Sequence, residues 1–276
     1  RITRQGKTVL YTVKKPLALS EDGTKIEQQA EIEIAEKEFY QFSTAWPVGC
    51  MLAQTWDQDL LEQVGRAYGE ELREFGCTLL LGPGMNIHRT PLCGRNFEYY
   101  SEDPVVSGLI AASFILGAQS NDGVGFTMKH FAGNNNENGR MFVNDVVSER
   151  ALREIYLKGF EIAFKAAQPM ALMTSYNGVN EEWTVNNYDL ITDICKNEWG
   201  FAGVVMSDYG AANQAQENKE LSLNKWANIM HAGNDWIMGG SAETVRPAMD
   251  DYGSEYDQSF NWIDRKSGSA GMPRPI

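Results

Sequence analysis

Six short apolar runs, each stopping at a polar or glycine-bearing turn, recur along most of this chain. That rhythm narrows the possible folds more than any other feature. The runs lie near residues 48–53, 78–82, 124–129, 170–174, 203–207 and 235–238. The sharpest is Gly203-Val-Val-Met-Ser-Asp208, a β-branched stretch that ends on a carboxylate. Continuous apolar runs of this length mark strands buried on both faces, as in a parallel sheet.

Helical patterns fall between the runs. One covers 57–75, with Leu60, Leu61, Val64, Ala67, Leu72 and Phe75 on one side and Gly76 as its stop. Another starts at a Ser148 cap and carries Leu152, Ile155, Tyr156 and Phe160 to Ala167; a third covers roughly 187–198. Strand followed by helix at such intervals predicts βα units. No GxGxxG turn follows a first strand and no phosphate-binding P-loop is present, so a Rossmann arrangement is disfavoured. The expected fold is α/β, a (β/α)8-type TIM barrel, incomplete because only six strand-like runs are found. Residues 1–45 have a different texture. Thr8–Val13 and Glu31–Ile34 alternate like half-exposed strands, which predicts an irregular insertion or hairpin. The expected organisation is therefore 1–45 as that insertion, 46–240 as the barrel, and 241–276 as the barrel end and a Gly/Ser/Asp/Pro-rich, linker-like tail.

A net charge of −13 and the lack of Lys/Arg clusters argue against a duplex nucleic-acid partner. No apolar run approaches the roughly 18 residues of a membrane span. Cys50, Cys77, Cys93 and Cys195 show no paired spacing and read as buried free thiols. His88, His130 and His231 are too scattered for a metal motif, and no cofactor is expected. The chain opens on Arg1 without a signal pattern, which predicts a missing start and leaves localisation, cytoplasmic or secreted, open.

In a barrel, polar groups just after the strands gather at one face. Here they are Arg89, Arg95 and Glu98; then Lys129, His130 and Arg140; then Tyr176 and Asn177; then Asp208 and Tyr209; and last Asn234 or Asp235. A set that mixes carboxylates, cations, amides and phenols suits a ligand covered in hydroxyls, since each hydroxyl both donates and accepts. Plainer readings stand beside this one. Asp208 can cap a helix or close a turn, Lys129-His130 can be an ion-pair member beside a satisfied imidazole, and Arg95 can bridge to Glu98 or Glu102. Gly82-Pro-Gly84 reads as a tight turn rather than a phosphate loop.

Several segments in order resemble family 3 of the glycoside hydrolases, the β-glucosidase and β-xylosidase group. They are Phe42-Ser-Thr-Ala-Trp-Pro47, Leu81-Gly-Pro-Gly-Met-Asn-Ile-His88, Gly94-Arg-Asn-Phe-Glu98 with Ser101-Glu-Asp-Pro104, Lys129-His-Phe131 with Arg140, Met173-Thr-Ser-Tyr-Asn177, and Val205-Met-Ser-Asp-Tyr209. The resemblance implies that Asp208 is the nucleophile of a retaining, exo-acting β-glycosidase, most simply a β-glucosidase acting on a small β-glucoside or oligosaccharide. It implies that Arg95, Lys129, His130 and Arg140 hold sugar hydroxyls and that Met173 and Tyr176 line the same subsite. Nearby Arg95 and Lys129 are expected to help keep Asp208 ionised. Tyr209 stands where many members have Trp, which implies a smaller stacking platform. The loop Ala132–Asn138 lacks the His of the N-acetylglucosaminidase branch. The family's acid/base Glu comes from a second, sandwich domain and has no counterpart here, so that domain of the same parent chain is the expected partner. The alternatives are a β-xylosidase, a non-catalytic glycan-binding barrel, or a lyase using Lys129 as a Schiff base.

Overall fold

In the computed structural model, four parallel strands form one sheet in the order Val204–Met206, Ala171–Thr174, Gly125–Phe131 and Leu79–Leu80. The structure describes residues 2–3, 12–19, 26–33, 42–212 and 226–239. These strands are β5 (Leu79–Leu80), β6 (Gly125–Phe131), β8 (Ala171–Thr174) and β11 (Val204–Met206). Their registers are direct: Leu79 faces Gly125, Thr127 faces Ala171, and Ala171 faces Val204. Thr127, Met128 and every residue of β8 are buried, the two-sided burial that the apolar runs predicted. Trp236 adds a parallel bridge to Met206. The architecture is that of a (β/α) barrel, and these strands are consecutive staves of its wall.

One expected strand is a helix. Residues 48–53 fold as α1 (Gly49–Ala53), with Leu52 and Ala53 buried. A short apolar run has no period that separates a buried strand from a buried helical turn. The run at 235–238 contributes only its bridge at Trp236.

The helix α2 (Gln58–Glu74) begins where Asp57 accepts the Leu60 backbone N–H at 2.9 Å. Its buried face is Leu61, Gly65, Gly69 and Leu72, whereas Leu60 and Ala67 are exposed. Glycines supply half of that face because α2 lies backbone-close to α3 (Pro104–Gln119). A β-carbon on Gly65 would strike the Phe114 carbonyl, and one on Gly117 would strike that of Glu62. An apolar-stripe reading cannot see such a contact. It also misses α3, which is apolar on nearly all sides because it packs between α2 and α5 (Lys158–Ala167). Asp103 caps α3, accepting from Val105 N at 2.7 Å, with Pro104 in the first turn.

The expected helix after Ser148 is present. Ser148 Oγ accepts from Ala151 N at 3.3 Å, α4 (Glu149–Ala151) passes through a π-wound turn at Leu152–Tyr156, and α5 completes it. The third, Asp189–Glu198, is π-wound and opened by Asn187 Oδ1 on Leu190 N. A small sheet of β7 (Asn144–Asp145), β9 (Gly178–Val179) and β10 (Glu182–Trp183) lies in the loops above the barrel strands.

The chain divides into two compact units, Arg1–Trp46 and Pro47–Ile276. In the first, β1 (Ile2–Thr3) pairs antiparallel with β4 (Phe42–Ser43), and β2 (Thr12–Leu19) pairs antiparallel with β3 (Ile26–Glu33). Strand β2 takes in Thr12 and Val13 of the expected Thr8–Val13 strand and β3 takes in residues 31–33 of the expected Glu31–Ile34; residues 8–11 and 34 lie outside the described residues. Antiparallel pairing with β3 makes a two-stranded ribbon, and it carries β2 through Lys14-Lys15-Pro16, where no alternation exists. The tail 241–276 also lies outside the described residues. All four cysteines are free, but the expectation of burial fails at Cys77, which is exposed, and at Cys50, which is half-buried. Cys77 follows the Gly76 stop of α2, where the chain runs over the surface to β5.

Candidate active site

Asp208 follows β11 by two residues, and every other residue that the resemblance assigned to the sugar site meets it around one cavity of about 270 Å³. Arg95, Lys129, His130, Arg140, Met173, Tyr176 and Tyr209 all line it, together with Leu81 and Met238. They come from the C-terminal ends of β5, β6, β8 and β11 and the loops that follow, where a barrel presents its polar groups. Met173 closes the floor, packed with Ala171 and Met206. Tyr209 stands 71% exposed at the rim.

The carboxylate of Asp208 is split between two roles. Its Oδ1 accepts the Tyr209 backbone N–H at 2.6 Å, which is the turn-closing role of the plainer reading. Its Oδ2 is buried without a well-formed hydrogen bond, since the nearby Tyr176 hydroxyl gives its one proton to the Tyr209 carbonyl, and lies 3.7 Å from Nε2 of His130. Burial pushes the Asp208 pKa up. The Tyr209 N–H, the Arg95 charge, the Tyr176 hydroxyl and the Lys129 charge pull it back only in part. The expected assistance from Arg95 and Lys129 is present, but burial outweighs it.

Those two cations are occupied by Glu98. The Arg95 guanidinium Nε donates to Glu98 Oε1, and Lys129 Nζ lies 3.4 Å from Glu98 Oε2. Burial works against the Glu98 charge, yet Arg95 and Lys129 together hold its pKa below the usual carboxylate range. Glu98 is therefore an ionised brace that keeps both cations pointed at the cavity. Lys129, held in an ion pair, is poorly suited to form a Schiff base.

His130 is 2% exposed and neutral, because burial and the charges of Arg95, Lys129 and Arg140 drive its pKa well below the ordinary imidazole value. Asn86 grips its backbone from both sides, with Nδ2 donating to His130 O at 2.8 Å and Oδ1 accepting from His130 N at 2.9 Å. Arg140 pairs with Glu137 at 2.9 Å and places its guanidinium 4.7 Å from the Tyr176 ring centroid. Tyr176 donates to the Tyr209 carbonyl at 2.8 Å, and burial followed by the Asp208 charge pushes its pKa up to about 12.

Several polar groups expected at this face do other work. Asn177 is fully buried, bonding the Ala132 carbonyl at 3.1 Å and Asp145 at 3.0 Å. Arg89 reaches Asp145 at 3.7 Å. Asn234 donates to Val185 O, and Asp235 pairs with Lys196 at 3.1 Å while accepting from Val205 N at 2.8 Å. Val205 is the middle residue of β11, so Asp235 is held beside that strand and does not line the cavity. Conversely, Leu81, Met238, Asn86, Tyr99 and Asn134 shape the site without any periodic or spacing signal that would find them. Among the described residues, no group of three His, Cys, Asp or Glu side chains could hold a metal ion, and no helix is long and apolar enough to cross a membrane.

Residues 5–252 match the family model described as the glycosyl hydrolase family 3 N terminal domain. The chain is 48% identical over 196 residues to thermostable beta-glucosidase B of Acetivibrio thermocellus, covering 71% of this chain and 26% of that protein. It is 44% identical to an exo-alpha-(1->6)-L-arabinopyranosidase of Bifidobacterium breve, over 66% of this chain and 24% of the relative. Among solved structures, beta-glucosidase 3B from Thermotoga neapolitana in complex with alpha-D-glucose superposes with a TM-score of 0.70 at 45% identity, over 83% of this chain and 31% of that one. The chain spans about a quarter of the length of these curated relatives.

Proposed function

We propose, from the premise that the chain belongs to glycosyl hydrolase family 3, that it supplies the nucleophile and sugar-binding half of a retaining, exo-acting β-glucosidase. The observation that carries this is the orphaned Oδ2 of Asp208, a buried carboxylate oxygen in a cavity ringed by donors. It attacks the anomeric carbon of a terminal, non-reducing β-D-glucosyl residue while the glycosidic bond breaks. The product is a glycosyl ester on Asp208, which water then hydrolyses to release the sugar and restore the carboxylate.

Arg95, Lys129, His130 and Arg140 donate to ring hydroxyls; the bonds from the three charged donors, Arg95, Lys129 and Arg140, contribute about 1.5–3 kcal/mol each. Met173 and Tyr176 shape the floor and wall, and Tyr209 at the rim meets the leaving group. Retaining chemistry needs a second carboxyl about 5–5.5 Å from the nucleophile to protonate the leaving oxygen. Among the described residues the cavity is lined by one carboxylate, Asp208. Glu98 cannot serve, because two cations hold it ionised. The acid/base is assigned to a part of the full-length protein beyond the matched quarter, in the sandwich domain the resemblance implies.

The test is labelling with a 2-fluoro-β-glucoside bearing a dinitrophenolate leaving group, which departs without a proton donor. A single adduct mapped to Asp208 is expected. An adduct on any other residue overturns the assignment.

The lone carboxylate also favours a second reading, a non-catalytic glycan-binding barrel. Binding of glucose without any adduct would support it. Sugars lacking the 6-hydroxymethyl group test the remaining choice: faster labelling by a 2-fluoro-xyloside than by the glucoside would move the specificity to β-xylosidase. The arabinopyranosidase name among the relatives makes an arabinopyranoside the third member of that panel.

A further inference from the structure

We propose that Tyr99 is a positioning residue of this site: its hydroxyl, held by Asn134, donates to Nδ1 of His130 and fixes the imidazole tautomer whose Nε2–H faces Asp208. The sugar-directed consequence rests on the functional reading above; the tautomer itself does not.

Three observations lead here. The Tyr99 hydroxyl lies 3.0 Å from His130 Nδ1. The Asn134 amide Nδ2 donates to that hydroxyl oxygen at 3.3 Å, which leaves the phenolic proton to be given elsewhere. At the other end of the ring, Nε2 faces the partnerless Oδ2 of Asp208. A neutral imidazole carries one proton, and its location is set by the bond the other nitrogen makes. With the proton on Nε2, Tyr99 donates to Nδ1 and an N–H, rather than a lone pair, is turned toward the orphan carboxylate oxygen 3.7 Å away. With the proton on Nδ1, a bare lone pair would be turned toward that oxygen. Asn86 Oδ1 has two lone pairs and is the rival acceptor for a proton on Nδ1, but at 3.3 Å it lies farther from Nδ1 than the Tyr99 hydroxyl at 3.0 Å, and its shorter bond is from the His130 backbone N–H at 2.9 Å.

Tyr99 is built for this task. Its side chain is fully buried, and a β-carbon on Gly84 would sit 2.6 Å from its ring, so the backbone packs directly on the phenol. Burial raises its pKa, so it remains a proton donor throughout the neutral range. The chain of donors runs from Asn134 to Tyr99 to His130. It presents one N–H to whichever partner, carboxylate or sugar hydroxyl, occupies the space beside Asp208.

The experiment reads the tautomer directly, without substrate. With 15N-histidine, long-range proton–nitrogen spectra of the full chain show three imidazoles, for His88, His130 and His231; the His130→Gln variant identifies the relevant one. The expected result is a protonated Nε2 and an unprotonated Nδ1, unchanged between about pH 6 and 8. Tyr99→Phe is expected to convert this into a mixture of tautomers. Asn134→Asp, which offers Tyr99 an acceptor in place of a donor, is expected to shift the proton toward Nδ1. A wild-type spectrum with the proton on Nδ1 overturns the proposal, as does a Tyr99→Phe spectrum identical to wild type. If Tyr99→Phe fails to fold, the wild-type spectrum and Asn134→Asp still decide. An adduct found away from Asp208, with the tautomer as expected, would remove the glycosidase reading alone.

Discussion

Oδ2 of Asp208 and Nε2 of His130 face each other across 3.7 Å, both buried and neither within ordinary hydrogen-bonding reach of the other. His130 is neutral, so the contact is no ion pair. On the function proposed above, a ligand hydroxyl seated beside the pair, rather than between them, bonds to both.

Asp208→Asn is expected to abolish covalent labelling while raising stability. A buried carboxylate with one orphaned oxygen costs the fold desolvation energy that an amide does not. The gain should be about 1 kcal/mol, roughly 2–4 °C in Tm. Intact-mass analysis and thermal melts measure the two effects; a melting point below that of wild type would contradict the argument.

The two carboxylates should respond to acid in opposite senses. Asp208 has a raised pKa, so its ionisation destabilises the fold as pH climbs past the unfolded value, and acid relieves that cost. Glu98 has a lowered pKa, so its contribution is present above the unfolded value and is lost as pH falls through the folded one. Labelling requires ionised Asp208, so its rate should fall with acid about a midpoint above the ordinary aspartate value of about 3.9. Glu98→Gln removes a nearby negative charge and should move that midpoint down. A series of labelling rates against pH for both proteins decides it.

Glu98→Gln should also loosen Arg95 and Lys129. Leaving two half-buried cations without their shared partner is expected to cost about 1–3 kcal/mol in stability. Glucose affinity measured by calorimetry should fall together with the melting temperature, whereas a loss of affinity alone would place Glu98 in direct contact with sugar.

Tyr209→Ala is expected to leave stability within about 0.5 kcal/mol, since the ring is exposed at the rim. Binding of an aryl β-glucoside should weaken by about 0.5–1.5 kcal/mol through lost stacking, while glucose binding is unchanged. Titration with both ligands separates the outcomes.

Gly117→Ala tests the helix pair. The new methyl group would meet the Glu62 carbonyl of α2, a backbone group that cannot swing aside. A loss of about 1–3 kcal/mol is expected in denaturant unfolding, with Asp208 still labelled.

The staves of the barrel were legible because two-sided burial writes itself as unbroken apolar runs, and the site because its residues sit where those runs stop. Helix α3 was illegible for the same reason: buried on nearly all sides, it has no polar face to reveal a period. The buried face of α2 was hidden because half of it is glycine. Residues 48–53 show that a run too short to have a period takes its identity from its neighbours. Behind the cavity, Asn86, Tyr99 and Asn134 act through hydrogen bonds between segments about 30 to 50 positions apart, a relationship that only folding creates.

The Lys196 clasp has a reach beyond its own neighbourhood. Its ammonium fastens the Gly233 carbonyl and Asp235 to the outer helix, and from there the segment runs beside β11 until Met238 N meets Ser207 Oγ at 2.9 Å. Met238 lines the cavity, held by its own bond to Ser207 and by a segment that Lys196 anchors at the opposite end. A substitution at Lys196, invisible from the ligand, would be transmitted along the segment and felt as a slackened wall next to Tyr209.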